Sequence, residues 1–352
     1  MKKRTVVTLS LILILSLIMP TLSSCSKNTS PVVFAYGDAV MNENMYYFEL
    51  AMMKSQIVEE YTGSTTDVPA LWSQPLGEGL TFDDYIYAQC QLNICKVLYF
   101  ADYALKNGGE LTKEDKKVID ESLEKYLSNF GSKAAMNKYL ETYNINYDMY
   151  REYLELYSLH SKGISLAYSD NGKRAITYED MYEYYEKNFV SIKHIAIGTE
   201  YLGLDENGEY IYYTEEEKKE KRDLISNITA SLEKGDDFDE YYKLSEDGFY
   251  ETYPDGYTIT KGVLDSKMSG YEEVALSLEI GETKTYELEG VCTYIIKRVP
   301  LLEKDFSNCR NTIHSTLMQI DMGSAVIENY DDFTMNQEII DMYNMAMVPV
   351  LK

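Results

Sequence analysis

Two segments far apart in the chain carry strand chemistry, and together they constrain the fold more than any other feature. Ser191-Ile192-Lys193-His194-Ile195-Ala196-Ile197 and Val291-Cys292-Thr293-Tyr294-Ile295-Ile296-Lys297-Arg298-Val299 are both rich in β-branched side chains, and the second closes at Pro300. Between them the pattern gives a charged helix at about 215–234, a short helix after Gly235-Asp236-Asp237, a turn-rich stretch from Gly248 to Gly270, and a helix from Tyr271 to Leu278. Strands and helices mixed in this order predict a compact α+β module over 190–300.

The flanks read differently. A short strand, Val32 to Tyr36, turns at Gly37-Asp38, and from there to Phe189 apolar residues recur at helical spacing. A helix is predicted from Glu43 to Tyr61. Thr81-Phe82-Asp83-Asp84 is a capping box, after which Ile86, Cys90, Ile94, Val97 and Ala101 keep one face apolar until Asn107-Gly108-Gly109. Thr112 opens a further helix, and segments near 133–143, 147–168 and 178–188 complete an all-α lobe. Beyond Pro300 the pattern predicts helices over 305–322 and 334–347. The expected fold class is therefore α+β, a helical lobe built from N- and C-terminal segments with an α+β domain inserted between them.

The first 25 residues follow a separate logic. Met1-Lys2-Lys3-Arg4 is basic, Val6 to Met19 is apolar, and small residues precede a cysteine in Leu22-Ser23-Ser24-Cys25. The apolar run is shorter than the roughly 20 residues needed to span a bilayer. That order resembles the lipobox of bacterial lipoproteins, in which the cysteine is acylated and becomes the first residue of the mature chain. The expected divisions are a signal peptide over 1–24, a lipidated tether over 25–31, a helical lobe over 32–189, the α+β domain over 190–300, and C-terminal helices over 301–352.

Charge narrows the function. Lys and Arg number 33 and Asp and Glu 58, a net of −25, and loss of residues 1–24 removes three cations and no acid, leaving −28. Such a chain is repelled by phosphate backbones, which argues against nucleic-acid partners. Three histidines and four cysteines beyond Cys25 show no HExxH or CxxC spacing, so no metal and no cofactor is expected. Cys90 and Cys95 read as core residues, and Asp205-Glu206-Asn207-Gly208 lacks calcium-loop spacing and reads as a turn. The 34 tyrosines are the other unusual feature. Tyr46, Tyr47, Tyr150, Tyr153 and Tyr157, with Met41, Met45, Met52 and Met53, read as a surface that accepts many apolar segments, with a helical core as the alternative.

Within 190–300 a family resemblance emerges. Lys193 to Ile197, then Leu232 to Glu240, Leu244-Ser245-Glu246-Asp247, Met268 with Tyr271-Glu272-Glu273-Val274-Ala275, Ile280-Gly281-Glu282 and Tyr294-Ile295-Ile296-Lys297 follow the order and spacing of the parvulin peptidyl-prolyl isomerases. With the lipobox, the helical lobe and Val33-x-x-Tyr36-Gly37-Asp38-x-Val40, the whole chain resembles the PrsA/SurA type of extracytoplasmic foldase. The resemblance implies a polar catalytic cluster of His194, Asp247 and Tyr294, the last standing where the family has a second histidine, and a substrate pocket at Met268 and Tyr271. Pro254-Asp255-Gly256-Tyr257-Thr258 replaces the family's Gly-Gly-Asp-Leu-Gly segment. Without the flanking matches, His194 would read as a structural histidine, Asp247 as a turn residue, and Met268 and Tyr271 as core.

The implied function is that of a membrane-anchored foldase that binds unfolded or partly folded exported polypeptides and has weak peptidyl-prolyl isomerase activity. The alternatives are a holdase whose isomerase module has decayed and, lower in rank, a solute-binding lipoprotein, which would need repeated βαβ lobes that the helical stretches do not offer. One outcome is expected directly: mass spectrometry of the mature protein should find an acylated Cys25 at the N-terminus, whereas an intact Met1 would overturn the anchor.

Overall fold

The computed structural model describes residues 30–204 and 206–351, so the signal peptide, the Cys25 anchor and Asp205 lie outside the described residues. Two compact units form, one of residues up to 175 together with 320 onward, the other of residues 176–319. The chain mixes helix and sheet and is α+β in class.

The first unit starts with β1 (Val32–Tyr36) and β2 (Ala39–Asn42), an antiparallel pair turning at Gly37-Asp38. Then come α1 (Glu43–Thr62), α2 (Pro69–Trp72), the hairpin β3 (Pro75–Gly77) and β4 (Leu80–Thr81), and α3 (Phe82–Lys106), α4 (Lys113–Ser128), α5 (Lys133–Leu140) and α6 (Tyr147–Tyr168). Capping boxes at Thr81/Asp84 and Thr112/Asp115 fix the starts of α3 and α4, each satisfying backbone donors that a helix cannot satisfy itself. Helices α3 and α6 pack closely because Gly163 has no side chain: a Cβ there would stand 1.7 Å from the Phe100 carbonyl oxygen.

The tyrosines and methionines singled out as a binding surface are mostly core. Met41, Met45, Tyr46 and Tyr153 are buried, and Tyr47, Met52, Met53, Tyr150 and Tyr157 are half-buried against the same cluster. Tyr153 donates to the buried Glu49 carboxyl at 2.6 Å. Burial pushes that carboxyl above its usual range, against the opposing pull of the tyrosine hydrogen bonds. Cys90 and Cys95 are buried in the same cluster.

In the second unit α7 (Tyr178–Asn188) leads into β5 (Phe189–Gly198), a hairpin of β6 (Tyr201–Leu204) and β7 (Tyr210–Tyr212), then α8 (Glu215–Glu233), α9 (Phe238–Tyr242), α10 (Phe249–Thr252), β8 (Tyr257–Thr260), α11 (Ser269–Ser277), β9 (Thr283–Leu288), β10 (Cys292–Val299) and α12 (Glu303–Glu328). The sheet runs β8-β5-β10-β9, all antiparallel, with β5 and β10 central. Its strands alternate between two cores: Ile192 and Ile296 meet Tyr271, Ala275 and Leu278, while Ile195, Ile197 and Ile295 meet Ile228, Phe238 and Tyr242. This unit is longer than the expected 190–300. Met181 and Tyr185 of α7 pack with Phe306 and Ile313 of α12, and Thr258 donates to Asp305 at 2.7 Å, so α7 and α12 as far as Gln319 join it, the rest of α12 belonging to the first unit.

The chain then returns to the first unit through β11 (Thr334–Met335) and α13 (Gln337–Ile340). Here two expectations are corrected. The lobe is not all-α, because β11 pairs with β1 (Phe34↔Met335) to complete a three-stranded sheet, and residues 334–347 are not one helix. Their backbone is held from outside, where Asp83 accepts from the N–H of Met345 (2.8 Å) and Ala346 (3.0 Å), and just beyond them the buried Lys54 ammonium donates to Val348 O at 2.9 Å and Ser55 Oγ accepts from Leu351 N–H. Among the described residues no helix is long and apolar enough to cross a membrane.

The β1–β2 turn gives a stability test. Gly37 has φ +54°, and a Cβ there would stand 2.1 Å from Oδ1 of Asp102, which is buried, accepts from Asp38 N–H at 2.9 Å and pairs with Lys106. Gly37→Ala should cost about 1–3 kcal/mol, read as a lower midpoint of thermal unfolding by far-ultraviolet circular dichroism.

Candidate functional site

His194 lies on β5 opposite Ile296, so it shares a sheet face with Tyr294 of β10 and points toward α11. It is 4% exposed. The turn after α9 supplies its partner. Ser245 Oγ accepts the Ala196 N–H at 2.9 Å and donates to Asp247 Oδ1 at 2.8 Å, and Glu246 N–H donates to Ala196 O, so this turn is docked along β5 by the backbone itself. Asp247 Oδ2 then lies 2.5 Å from His194 Nε2. An ionised carboxylate only accepts hydrogen bonds, so the contact places a proton on Nε2. On the opposite side of the ring, Nδ1 meets the hydroxyls of Tyr257 at 2.8 Å and Tyr271 at 2.7 Å, which are 2.5 Å from each other.

The ring environment is aromatic. Phe249 lies 5.0 Å from the imidazole, and Tyr294 approaches it edge-on at 5.2 Å and Tyr271 at 4.9 Å. Burial pushes the hydroxyls of Tyr257, Tyr271 and Tyr294 well above the ordinary tyrosine range, so all three stay protonated. Burial alone would raise Asp247 too. The hydrogen bond and charge of His194, with the Phe249 N–H and the Ser245 hydroxyl, outweigh it and hold the carboxyl below its ordinary value.

The sequence-predicted residues thus divide. His194, Asp247, Tyr271 and Tyr294 converge although 53 residues separate His194 from Asp247 and 77 separate it from Tyr271. Met268 sits half-buried at the margin of the same apolar cluster. Tyr271, expected at the substrate pocket, is 1% exposed, with its ring packed in the core and its hydroxyl engaged by His194 and Tyr257. Tyr257, Phe249 and Ser245 were not foreseen as site residues. The signal for Tyr257 was the Pro254–Thr258 segment itself, whose departure from the family pattern places a phenol where it reaches the histidine.

What a ligand can reach is a cleft of about 500 Å³ on the Asp247 and Tyr294 side. Cys292 and Gly198 lie on its floor, and Tyr201, Leu202 and Tyr213 wall it from the β6–β7 hairpin and its exit. Lys221 spans it, paired with Glu246, whose Oε2 accepts the Gly198 N–H at 2.8 Å. Asp247 is the one member of the histidine cluster, besides Tyr294, that opens onto this space.

No protein-family model matches the chain, and no curated protein does. Among solved structures it is similar to the foldase protein PrsA of Streptococcus pneumoniae, at 14% identity over 80% of this chain and 84% of that one, with a TM-score of 0.23. It is also similar to PrsA of Bacillus subtilis (17%, 77% and 91%, TM-score 0.21) and to the peptidylprolyl isomerase PrsA of Bacillus cereus (18%, 79% and 90%, TM-score 0.28). TM-scores and identities this low carry no argument about arrangement or activity in this chain.

The His194–Asp247 contact makes a pH prediction. Asp247 has a folded value below its ordinary 3.8, so the contact's contribution is complete above that value and is lost as pH falls through the lower folded one. Asp247→Asn should therefore cost about 1 kcal/mol at neutral pH, and denaturant titrations should show the gap from the parent closing at acid pH. A gap that is unchanged at low pH would place the stabilisation elsewhere.

Proposed function

We propose that this chain is an extracytoplasmic foldase, tethered to the membrane through a lipid at Cys25, whose unit of residues 176–319 is a parvulin-type prolyl isomerase of reduced activity and whose other unit holds unfolded exported polypeptides. The observation that carries the reading is the convergence of His194, Asp247 and Tyr294 beside a cleft, three residues that the parvulin resemblance named before any geometry was known.

The chemistry needs no nucleophile and no cofactor. Rotation about a prolyl bond faces a barrier of about 18–20 kcal/mol from amide resonance. Resonance places negative charge on the carbonyl oxygen of the planar amide, and twisting withdraws it. A fixed carboxylate near that oxygen therefore disfavours the planar state more than the twisted one. Asp247 is the group positioned for this role. His194, shut away from the cleft, is a positioning residue that keeps Asp247 ionised and aimed, with Tyr257 and Tyr271 fixing the imidazole from behind. Tyr294 presents its protonated phenol at the cleft wall.

A second reading, a holdase with a decayed isomerase module, is favoured by one observation: the buried Tyr271 closes the place where the family grips a proline ring. Isomerisation of a proline tetrapeptide separates the two. The parent should accelerate it weakly, Asp247→Asn should lose about tenfold of that acceleration, equivalent to ~1.4 kcal/mol, and Tyr294→His should be no slower than the parent. No acceleration by a folded parent would leave the holdase.

A further inference from the structure

We infer that the first unit carries a docking surface for apolar, positively charged segments of unfolded polypeptide, centred on the β3–β4 hairpin and the helix ends beside it. This deepens the client-binding half of the proposed function, whose candidate residues proved to be core.

The observations are local and independent of those residues. Leu76 and Leu80, one on each strand of the hairpin, are 53% and 54% exposed. β4 runs directly into α3, whose first turn presents Tyr85 at 49% exposure, and Tyr61 at the end of α1 is 57% exposed with its ring 5.1 Å from Phe82. Tyr61 thus rests on one buried anchor, Phe82, which itself packs on Trp72, and the two exposed leucines and Tyr85 lie within six residues of that anchor in the chain. Every residue from Ser73 to Leu80 is exposed. Large apolar side chains left in water together mark contact surfaces rather than ordinary exterior.

Charge says what the contact is with. From Ser55 to Cys95 the chain has no Lys, Arg or His, yet it has Glu59, Glu60, Asp67, Glu78, Asp83 and Asp84. The cation at its edge, Lys54, is buried and paired with Asp67. Glu59, Glu60, Glu78 and Asp84 are exposed and lie within two residues of Tyr61, Leu76, Leu80 or Tyr85 in the chain, and Asp84 already serves as the capping acid of α3. An anionic rim on a chain of net charge −25 opposes docking of a second copy, which would set acid against acid, and opposes anionic lipid as well. It attracts a segment in which apolar residues alternate with Lys or Arg. Two leucines on a short hairpin and two phenols that are apolar in body and polar at the tip can meet such segments in many registers, without demanding one sequence.

The test uses the full chain and a fluorescein-labelled peptide in which Leu and Phe alternate with Arg, beside a twin with Glu in place of Arg, followed by fluorescence anisotropy. The parent should bind the Arg peptide, more weakly as salt rises, and bind the Glu twin at least about tenfold less tightly. Leu76→Ser with Leu80→Ser should weaken the Arg peptide by about tenfold, while a thermal melt matching the parent's shows that the unit is folded. Glu59→Gln with Glu60→Gln and Glu78→Gln should weaken it roughly threefold and flatten the salt dependence. Equal affinity of parent and leucine variant, or equal affinity for the two peptides, overturns the surface while leaving client binding elsewhere intact. Failure of the parent to bind either peptide overturns the surface and the client-binding reading together.

Discussion

The antiparallel pairing of β5 with β10 is the constraint on which the second unit rests. It joins strands separated by most of that unit's length, and its register, Ile296 against His194 and Tyr294 against Ala196, sends alternate residues into two different cores. A slip of one residue would turn His194 into the α8–α9 core and expose Ile195 and Ile197 to α11. Ala196, in a strand that pairs with β10, gives both its N–H and its carbonyl to the Ser245–Glu246 turn, so the same strand that seats the histidine seats its carboxylate partner. Site geometry here is a consequence of register, and the side chains add only the final contacts.

Local chemistry was legible in the sequence, and long-range partnership was not. Thr81 and Thr112 announced α3 and α4 because a capping box is written within four residues. Residues 334–347 have apolar spacing that suits a helix, but Asp83, some 260 positions away in the chain, captures the N–H groups of Met345 and Ala346 first, and Lys54 and Ser55 hold the backbone just beyond, at Val348 and Leu351. The tyrosines and methionines of α1 and α6 misled for a related reason: a side chain with an apolar body and polar tip fits a core or a surface, and only its neighbours decide. What lay exposed was the hairpin at Leu76 and Leu80, too short and too rich in glycine to register as structure.

In the candidate site, the order of short motifs pointed to His194, Asp247 and Tyr294, which the fold brings together. It could not reveal that Ser245 tethers the turn or that Tyr257 and Tyr271 both reach Nδ1, because those roles arise from hydrogen bonds between segments with no sequence signature of their own. The buried Tyr271 shows the limit of transferring a position by spacing. An aromatic residue in the expected place can still have its ring turned into the core once it gains a hydroxyl that the histidine can hold.

The sheet that opens the first unit has a consequence for the order of events during synthesis. β1 and β2 emerge early, but β11, which completes their sheet, and the Val348 carbonyl that accepts from Lys54 arrive only after the whole second unit has been made. Contacts of such separation form late because the intervening chain must first be brought back. The second unit, continuous in sequence, has no such wait. A ribosome releasing this chain would therefore deliver a finished central domain carried between two halves of an unfinished one, and the helices of the first unit would themselves stay incomplete until the last few residues appear.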